Sequence, residues 1–236
     1  MERISTGIDG LDIMLRGGLI RGRSYLIVGG PGTGKTTLGI QFLREGAISG
    51  EKSVYISLEE PISEIKENMA VFGWSLDKLL LVDLTPGAGL VTLSDDTAEG
   101  NIGSMDLFEI NSRIETILKN ERPDRIVFDS VTMFSLLFPN EYNSRRSLLD
   151  LMNRITEYGA TSLFILEKTV YPGDIDTDFS YFLARGIIKL FSLYGKGERK
   201  RGIQIEKMRG GCFDEQLRPM EITDSGIVVH HNSLMI

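Results

Sequence analysis

Nine consecutive residues, Gly29-Gly30-Pro31-Gly32-Thr33-Gly34-Lys35-Thr36-Thr37, limit what this chain can fold into more than any other stretch. They satisfy the pattern G-x-x-x-x-G-K-[ST] at Gly29, Gly34, Lys35 and Thr36. Glycines at these places let successive backbone N–H groups turn inward around an anion, and a helix that follows points the positive end of its dipole at the same spot. The flanks agree with that geometry. Tyr25-Leu26-Ile27-Val28 is a short apolar, strand-like run before the loop, and Leu38, Ile40, Gln41, Phe42 and Leu43 continue as a mostly apolar helix after it. Lys35 is expected to reach the β and γ phosphates of a nucleotide, and Thr36 to hold Mg²⁺ through its hydroxyl.

The rest of the chain repeats the same alternation. Ser5 to Asp12 reads as a turn and a short capped helix, which Gly17-Gly18 ends before the first strand. Ser53–Leu58, Leu79–Leu84, Arg125–Ser130 and Ser162–Leu166 read as further buried strands. Between them lie helical patterns at Ile62–Phe72, Asp106–Asn120 and Asn143–Tyr158. Strands alternating with helices imply an α/β fold, a mostly parallel sheet covered on both faces. Thr85 to Gly103, glycine-rich and acidic, reads as a long excursion. Past Gly186 the character changes: Gly186–Tyr194 and Arg201–Lys207 predict an antiparallel hairpin extending the sheet, followed by a pair around Met220–Ile222 and Ile227–His230.

With 236 residues and no Pro- or Ser-rich linker, residues 1–236 are expected to form one domain. A net charge of −7 argues against a general nucleic-acid coat, because such binding draws on clustered Lys and Arg. The lone Cys212, and a start lacking a charged segment followed by an apolar one, point to a cytoplasmic protein. No apolar run approaches the roughly 20 residues that span a bilayer, so no membrane insertion is expected.

Hydrolysis of a nucleotide needs a cradle, a metal held by hydroxyl and carboxylate, a group that positions water, and positive charge for the transition state. Asp129, ending an apolar strand, is the expected Mg²⁺ partner of Thr36. Glu59 and Glu60 end the second strand, on the side of the sheet where ligands of parallel strands sit. Adjacent carboxylates in a confined site disfavour simultaneous ionisation, so either one is a candidate to take a proton from water.

Several runs together resemble the KaiC family of RecA-like ATPases: Ile4 to Leu43, Tyr55-Ile56-Ser57-Leu58-Glu59-Glu60-Pro61, Phe72-Gly73-Trp74, Val127-Phe128-Asp129-Ser130-Val131 and Lys207-Met208-Arg209-Gly210. They cover essentially the whole chain in order, and Glu-Glu combined with Lys-Met-Arg-Gly discriminates far more than the phosphate loop alone. The resemblance implies a RecA-like core in a stand-alone, single-domain relative, assembled as a hexameric ring with ATP between subunits. It implies that Gly30, Pro31, Gly32, Thr33, Gly34, Lys35, Thr36 and Thr37 bind ATP, that Glu59 and Glu60 are the catalytic carboxylates, and that Lys207, Met208 and Arg209 reach the neighbouring subunit's nucleotide. Lys207 and Arg209 alternate along a strand, so both are expected on one face, with Arg209 neutralising the γ phosphate. Thr223 and Asp224 match a further family contact to that nucleotide.

Three departures qualify the resemblance. Gly211-Cys212-Phe213 replaces the Thr-x-His that often follows the Lys-x-Arg-Gly run, Val71 replaces a serine near the nucleotide, and Tyr181-Phe182 precede Ile187-Ile188 where a Ser-Thr phosphorylation pair stands in the clock protein. The last argues against autokinase activity. Two alternatives remain: a recombinase-like DNA-binding ATPase, and a weakly hydrolysing nucleotide sensor that recruits a protein partner. Phe134, Phe138, Arg145 and Arg146 suit stacking and phosphate contact, whereas Asp174, Asp176 and Asp178 would repel a nucleic acid, so DNA is not favoured. The basic tip Lys196, Arg199, Lys200, Arg201 reads as a solvated turn that could instead meet an acidic partner.

Overall fold

The computed structural model describes residues 1–85, 107–174, 178–195 and 198–235. Most of the expected excursion after Thr85, together with Asp106, Asp176 and Lys196, lies outside them. In chain order the elements are β1 (Arg3–Ile4), α1 (Asp9–Met14), β2 (Leu19–Ile20), β3 (Ser24–Gly29), α2 (Lys35–Ile48), β4 (Ser53–Ser57), α3 (Ile62–Ala70), β5 (Leu79–Asp83) and α4 (Leu107–Glu121). They continue as β6 (Arg125–Asp129), α5 (Val131–Leu136), α6 (Glu141–Glu157), β7 (Thr161–Glu167), α7 (Ser180–Leu183), β8 (Gly186–Gly195), β9 (Glu198–Met208), β10 (Arg218–Thr223) and β11 (Gly226–Val229).

Among the described residues one sheet of nine strands, in the order β11-β10-β9-β8-β3-β7-β6-β4-β5, forms the centre of the fold. From β8 to β5 every pairing is parallel. From β8 to β11 each is antiparallel, as the hairpin patterns predict. The period-2 alternation of strand side chains sorts the central strands between two cores. Tyr25, Ile27, Tyr55, Val127, Leu163 and Ile165 face one core, with Leu38, Phe42 and Leu43 of α2 and Ile65 and Met69 of α3. Leu26, Val28, Val54, Ile56, Ile126, Phe128 and Phe164 face the other, with Ile110, Ile114 and Leu118 of α4 and Leu148, Leu151 and Ile155 of α6. Hence the central strands read as unbroken apolar runs: both faces are covered.

Three local features go beyond or against the sequence reading. The first helix has Ile8 at its N-cap with no side-chain bond; the polar residues before it instead converge on Asp12, whose carboxylate accepts from the Ser5 hydroxyl at 2.7 Å and from the Thr6 amide at 2.8 Å. The segment before β3 also forms the small antiparallel pair β1–β2, two residues each and too short to leave a period in the sequence. Phe134 is fully buried and Phe138 half-buried, stacked edge-on to each other and, through Phe134, to Phe128. They belong to the core rather than to a surface on which bases could stack, which the DNA alternative would need; Arg145 and Arg146 remain exposed on α6.

Candidate functional site

Parallel strands β3, β4, β6 and β7 end on one edge of the sheet, and the phosphate loop, Glu59, Asp129 and Glu167 follow from those ends. A ligand crevice is expected at this edge of an open α/β sheet. The loop turns into α2 at Gly34, whose φ of +99° lies in the left-handed region that favours glycine, and no side chain caps the helix. Within the loop, the Thr33 hydroxyl donates to the Gly30 carbonyl at 2.8 Å, and the buried Lys35 ammonium donates to the same oxygen at 3.0 Å. Burial pulls Lys35 below its ordinary value, while the charges of Glu167, Asp129 and Glu59 pull it back up.

Thr36 and Asp129, the expected metal pair, do meet: the hydroxyl donates to Asp129 Oδ2 at 3.1 Å. Tyr55, from β4, donates to the same oxygen at 2.5 Å. Burial raises the Asp129 carboxyl above its ordinary value; the bonds from Tyr55 and Thr36 oppose this, Glu59 adds to it, and Lys35 opposes it. Such a carboxylate gains from a nearby cation. Hydroxyl and carboxylate are the hard oxygen donors that suit Mg²⁺. Among the described residues no cluster of three or more His, Cys, Asp or Glu could hold a metal by itself, so a bound ion would complete its shell with phosphate and water.

Glu59 and Glu60 diverge. Glu59 Oε2 accepts from the Ser130 hydroxyl at 2.7 Å, which turns this carboxylate toward the end of β6, and its charge favours the Lys35 ammonium. Glu60 Oε1 instead accepts from Asn68 of α3 at 2.5 Å. Burial raises the Glu60 carboxyl, the charge of Glu64 adds to that, and Asn68 offsets part. The sequence left the pair equivalent; the structure ties Glu59 to the end of β6 and Glu60 to α3. Two neighbours of the site escape sequence reasoning, namely Tyr55 and Glu167. Only the position of Glu167 at the end of a parallel strand could have signalled it.

In the basic hairpin Arg199 and Lys200 are exposed, as a solvated turn implies, but two of its arginines also reach the phosphate loop. Arg199 of β9 donates to the carbonyls of Pro31 at 3.3 Å and Gly32 at 3.0 Å, and Arg201 donates to Gly32 at 3.1 Å. Both arginines thus lie over the chain's own phosphate loop. At the other end of β9 the strand stops at Met208, one residue before Arg209. Lys207 donates to the Tyr181 carbonyl of its own chain at 2.7 Å, while Arg209 is exposed. The expected alternation on one strand face is therefore incomplete: Arg209 stands just past the strand. Burial lowers the Lys207 ammonium, and the charges of Arg209 and Arg185 lower it further, so three cations crowd one corner.

Thr223 and Asp224 lie at the β10–β11 turn. Their turn packs on its own protomer: the Ile227 amide donates to Gln41 of α2 at 2.9 Å, and Ile222 Cδ1 lies 2.9 Å from where a Cβ on Gly34 would be. Ile222, just before Thr223, is the residue that packs beside this chain's phosphate loop. The Thr223 hydroxyl is engaged in the turn, donating to the Gly226 carbonyl at 3.0 Å.

The family model described as "ATPase: KaiC" matches residues 4–233. A UPF0273 protein of Thermotoga maritima is 34% identical over 98% of this chain and 96% of its own length. The circadian clock oscillator protein KaiC of Synechococcus elongatus is 32% identical over 96% of this chain, which corresponds to 44% of that longer protein. Among solved structures, a KaiC-like protein of Pyrococcus horikoshii superposes with a TM-score of 0.81 at 30% identity, covering 97% of this chain and 99% of that one.

Proposed function

The chain belongs to the KaiC family of ATPases, and we propose that it binds Mg²⁺ and ATP and hydrolyses ATP to ADP and phosphate at sites completed by a neighbouring subunit in a ring. The observation that carries the hydrolytic part is the convergence of Lys35, Thr36–Asp129 and Glu59 at one sheet edge. In this reading Lys35 leaves the Gly30 carbonyl for the β and γ phosphates, and Arg199 and Arg201 add positive charge beside the loop. Thr36 and Asp129 would hold Mg²⁺, which neutralises charge on those phosphates. Glu59 orients a water and accepts its proton as the oxygen bonds to the γ phosphorus; the bond to the bridging oxygen breaks and ADP leaves with that electron pair.

The ring is supported by the course of β9. Arg201 touches this chain's loop, yet Lys207 lies six residues further along an extended strand, about 20 Å away at roughly 3.3 Å per residue. Lys207 and Arg209 therefore cannot serve their own nucleotide, and a corner of three crowded cations suits an anion brought by another copy. Membership in a family with the phosphate loop of one subunit facing the next agrees with this.

The experiment is a steady-state ATPase assay with Mg²⁺ on Glu59→Gln and Glu60→Gln, run beside light scattering with and without ATP. The Glu59 variant should lose turnover by about a hundredfold or more, the size expected of a lost general base, and the Glu60 variant much less. Equal turnover in wild type and the Glu59 variant would remove Glu59 from the chemistry. A monomer under every nucleotide condition would remove the ring.

A further inference from the structure

We propose that Gln41 is a positioning residue for ATP binding: through the turn between β10 and β11 it seats Ile222 and Ile227 on Gly34, where the phosphate loop becomes α2. The role rests on the nucleotide-binding part of the reading above and adds a residue that lies outside the phosphate loop.

The Gln41 amide joins three segments that are far apart in sequence. It projects from α2, about two helical turns or roughly 10 Å beyond Gly34. Its Nε2 donates to the Gly7 carbonyl at 2.7 Å, and its Oε1 accepts from the Ile227 amide at 2.9 Å. One partner is a carbonyl and the other an N–H, so a single orientation of the amide satisfies both.

The turn that Gln41 holds lies close against α2. A Cβ on Gly226 would lie 2.5 Å from Trp74 Cζ2 and 2.7 Å from Gln41 Oε1, nearer than non-bonded atoms approach, so only glycine lets the turn come this close. Inside the turn the Thr223 hydroxyl donates to the Gly226 carbonyl at 3.0 Å, and Ile222 and Ile227 are register partners across the pair. Holding the Ile227 amide therefore holds Ile222 as well. Both side chains reach the loop: a Cβ on Gly34 would lie 2.9 Å from Ile222 Cδ1 and 3.6 Å from Ile227 Cδ1.

Gly34 needs such support. It bends with φ of +99° and caps α2 without a side-chain bond, so neither a Cβ nor a cap of its own restrains the junction. The N–H groups of a phosphate loop grip an anion only while their peptide planes are held facing it. A loop ordered beforehand by the two isoleucines loses less conformational entropy when ATP arrives, which raises affinity. The side-chain bonds of Gln41 go to Gly7 and Ile227 and not to Lys35, Asp129 or Glu59, so the chemistry of bound ATP uses the same groups with or without it.

The test compares wild type, Gln41→Met, Ile222→Ala and the double variant of the full chain with Mg²⁺. It reads equilibrium binding of ATP and of inorganic triphosphate, kcat and KM, and the unfolding midpoint. Gln41→Met keeps the length of the side chain and loses both hydrogen bonds; it should weaken ATP and triphosphate alike by about fivefold or more, raising KM far more than it lowers kcat. Ile222→Ala should weaken both ligands too, and the double variant should be at most about twofold weaker than the weaker single one, because both break the same route. Ile222→Ala, with Gln41 intact, also decides the matter should Gln41→Met fail to fold: unchanged affinity there would overturn the role. A residue that only supports the fold would lower the unfolding midpoint and leave the affinity of the folded protein as it was. ATP affinity of Gln41→Met within about twofold of wild type, a loss seen with ATP and absent with triphosphate, or losses that multiply in the double variant would each overturn this role and leave the ATPase reading standing. A wild type that binds neither ligand would overturn that reading, and this role with it.

Discussion

Asp129 is held by two donors, Thr36 at the end of the phosphate loop and Tyr55 a strand further on in sequence. The sequence makes Asp129 and Thr36 legible because the loop pattern and an apolar strand ending in a carboxylate are both local signals. Tyr55 has no such signal. Its side chain alternates toward the α2 core like Val127 and Ile165, and only the pairing of β4 with β6 brings its hydroxyl to Asp129. Burial pushes the Tyr55 phenol well above its ordinary range, and the charge of Asp129 adds to this, so it remains a donor. Tyr55→Phe should therefore cost about 1.5–3 kcal/mol, the loss expected for a buried hydrogen bond to a charged group, read from denaturant midpoints. An unchanged midpoint would mean that Asp129 does not depend on the phenol.

Between elements, polar contacts decide as much as apolar ones. Arg125 opens β6 yet is only 3% exposed: it donates to the carbonyls of Ser5 and Phe42 at 2.8 Å each, lies 4.6 Å from the Phe42 ring, and pairs with Glu51 at 2.5 Å. Glu51 also pairs with Arg21, so the β2–β3 turn, the end of α2 and the start of β6 are joined through one carboxylate. Burial alone would raise Glu51; the bonds and charges of Arg125 and Arg21 outweigh it and hold the carboxyl below its ordinary value of 4.5. A depressed carboxyl contributes stability that is complete above that value and is lost as pH falls through the lower, folded one. Glu51→Gln should then be less stable than wild type by about 3 kcal/mol at pH 7, because Arg125 is left buried without its partner, and the gap should shrink progressively below pH 4.5. Urea midpoints across that range check it; a gap independent of pH would assign the loss to packing. Arg125 reads in sequence as the ordinary polar start of a strand, since a buried arginine leaves no period.

At the scale of the molecule, β9 is both a sheet strand and a spacer between two cationic sites, Arg199 and Arg201 over the chain's own loop and Lys207 with Arg209 at the far end. Arg209→Ala removes an exposed side chain and should leave the unfolding midpoint within about 0.5 kcal/mol of wild type. In assembled protein the same substitution should lower ATP turnover about a thousandfold, as expected when a charge supplied across an interface to transferring phosphate is lost. Mixing variant with wild-type subunits should depress turnover more than in proportion to the variant's share; strict proportionality would place Arg209 outside the neighbour's site. By itself the sequence determined the parallel α/β core, the phosphate loop with Lys35 and Thr36, the carboxylate at Asp129 and the C-terminal hairpins, because each is written in contiguous periodicity or fixed spacing. That Glu59 is tied to the end of β6 and Glu60 to α3, that Arg199 and Arg201 lie over the phosphate loop, that Ile222 packs beside it, and that Glu167 and Tyr55 stand at the site were decided only by the tertiary structure. Those facts depend on strand order and on how far a strand carries a side chain from its neighbours, and neither is encoded in any local stretch of residues.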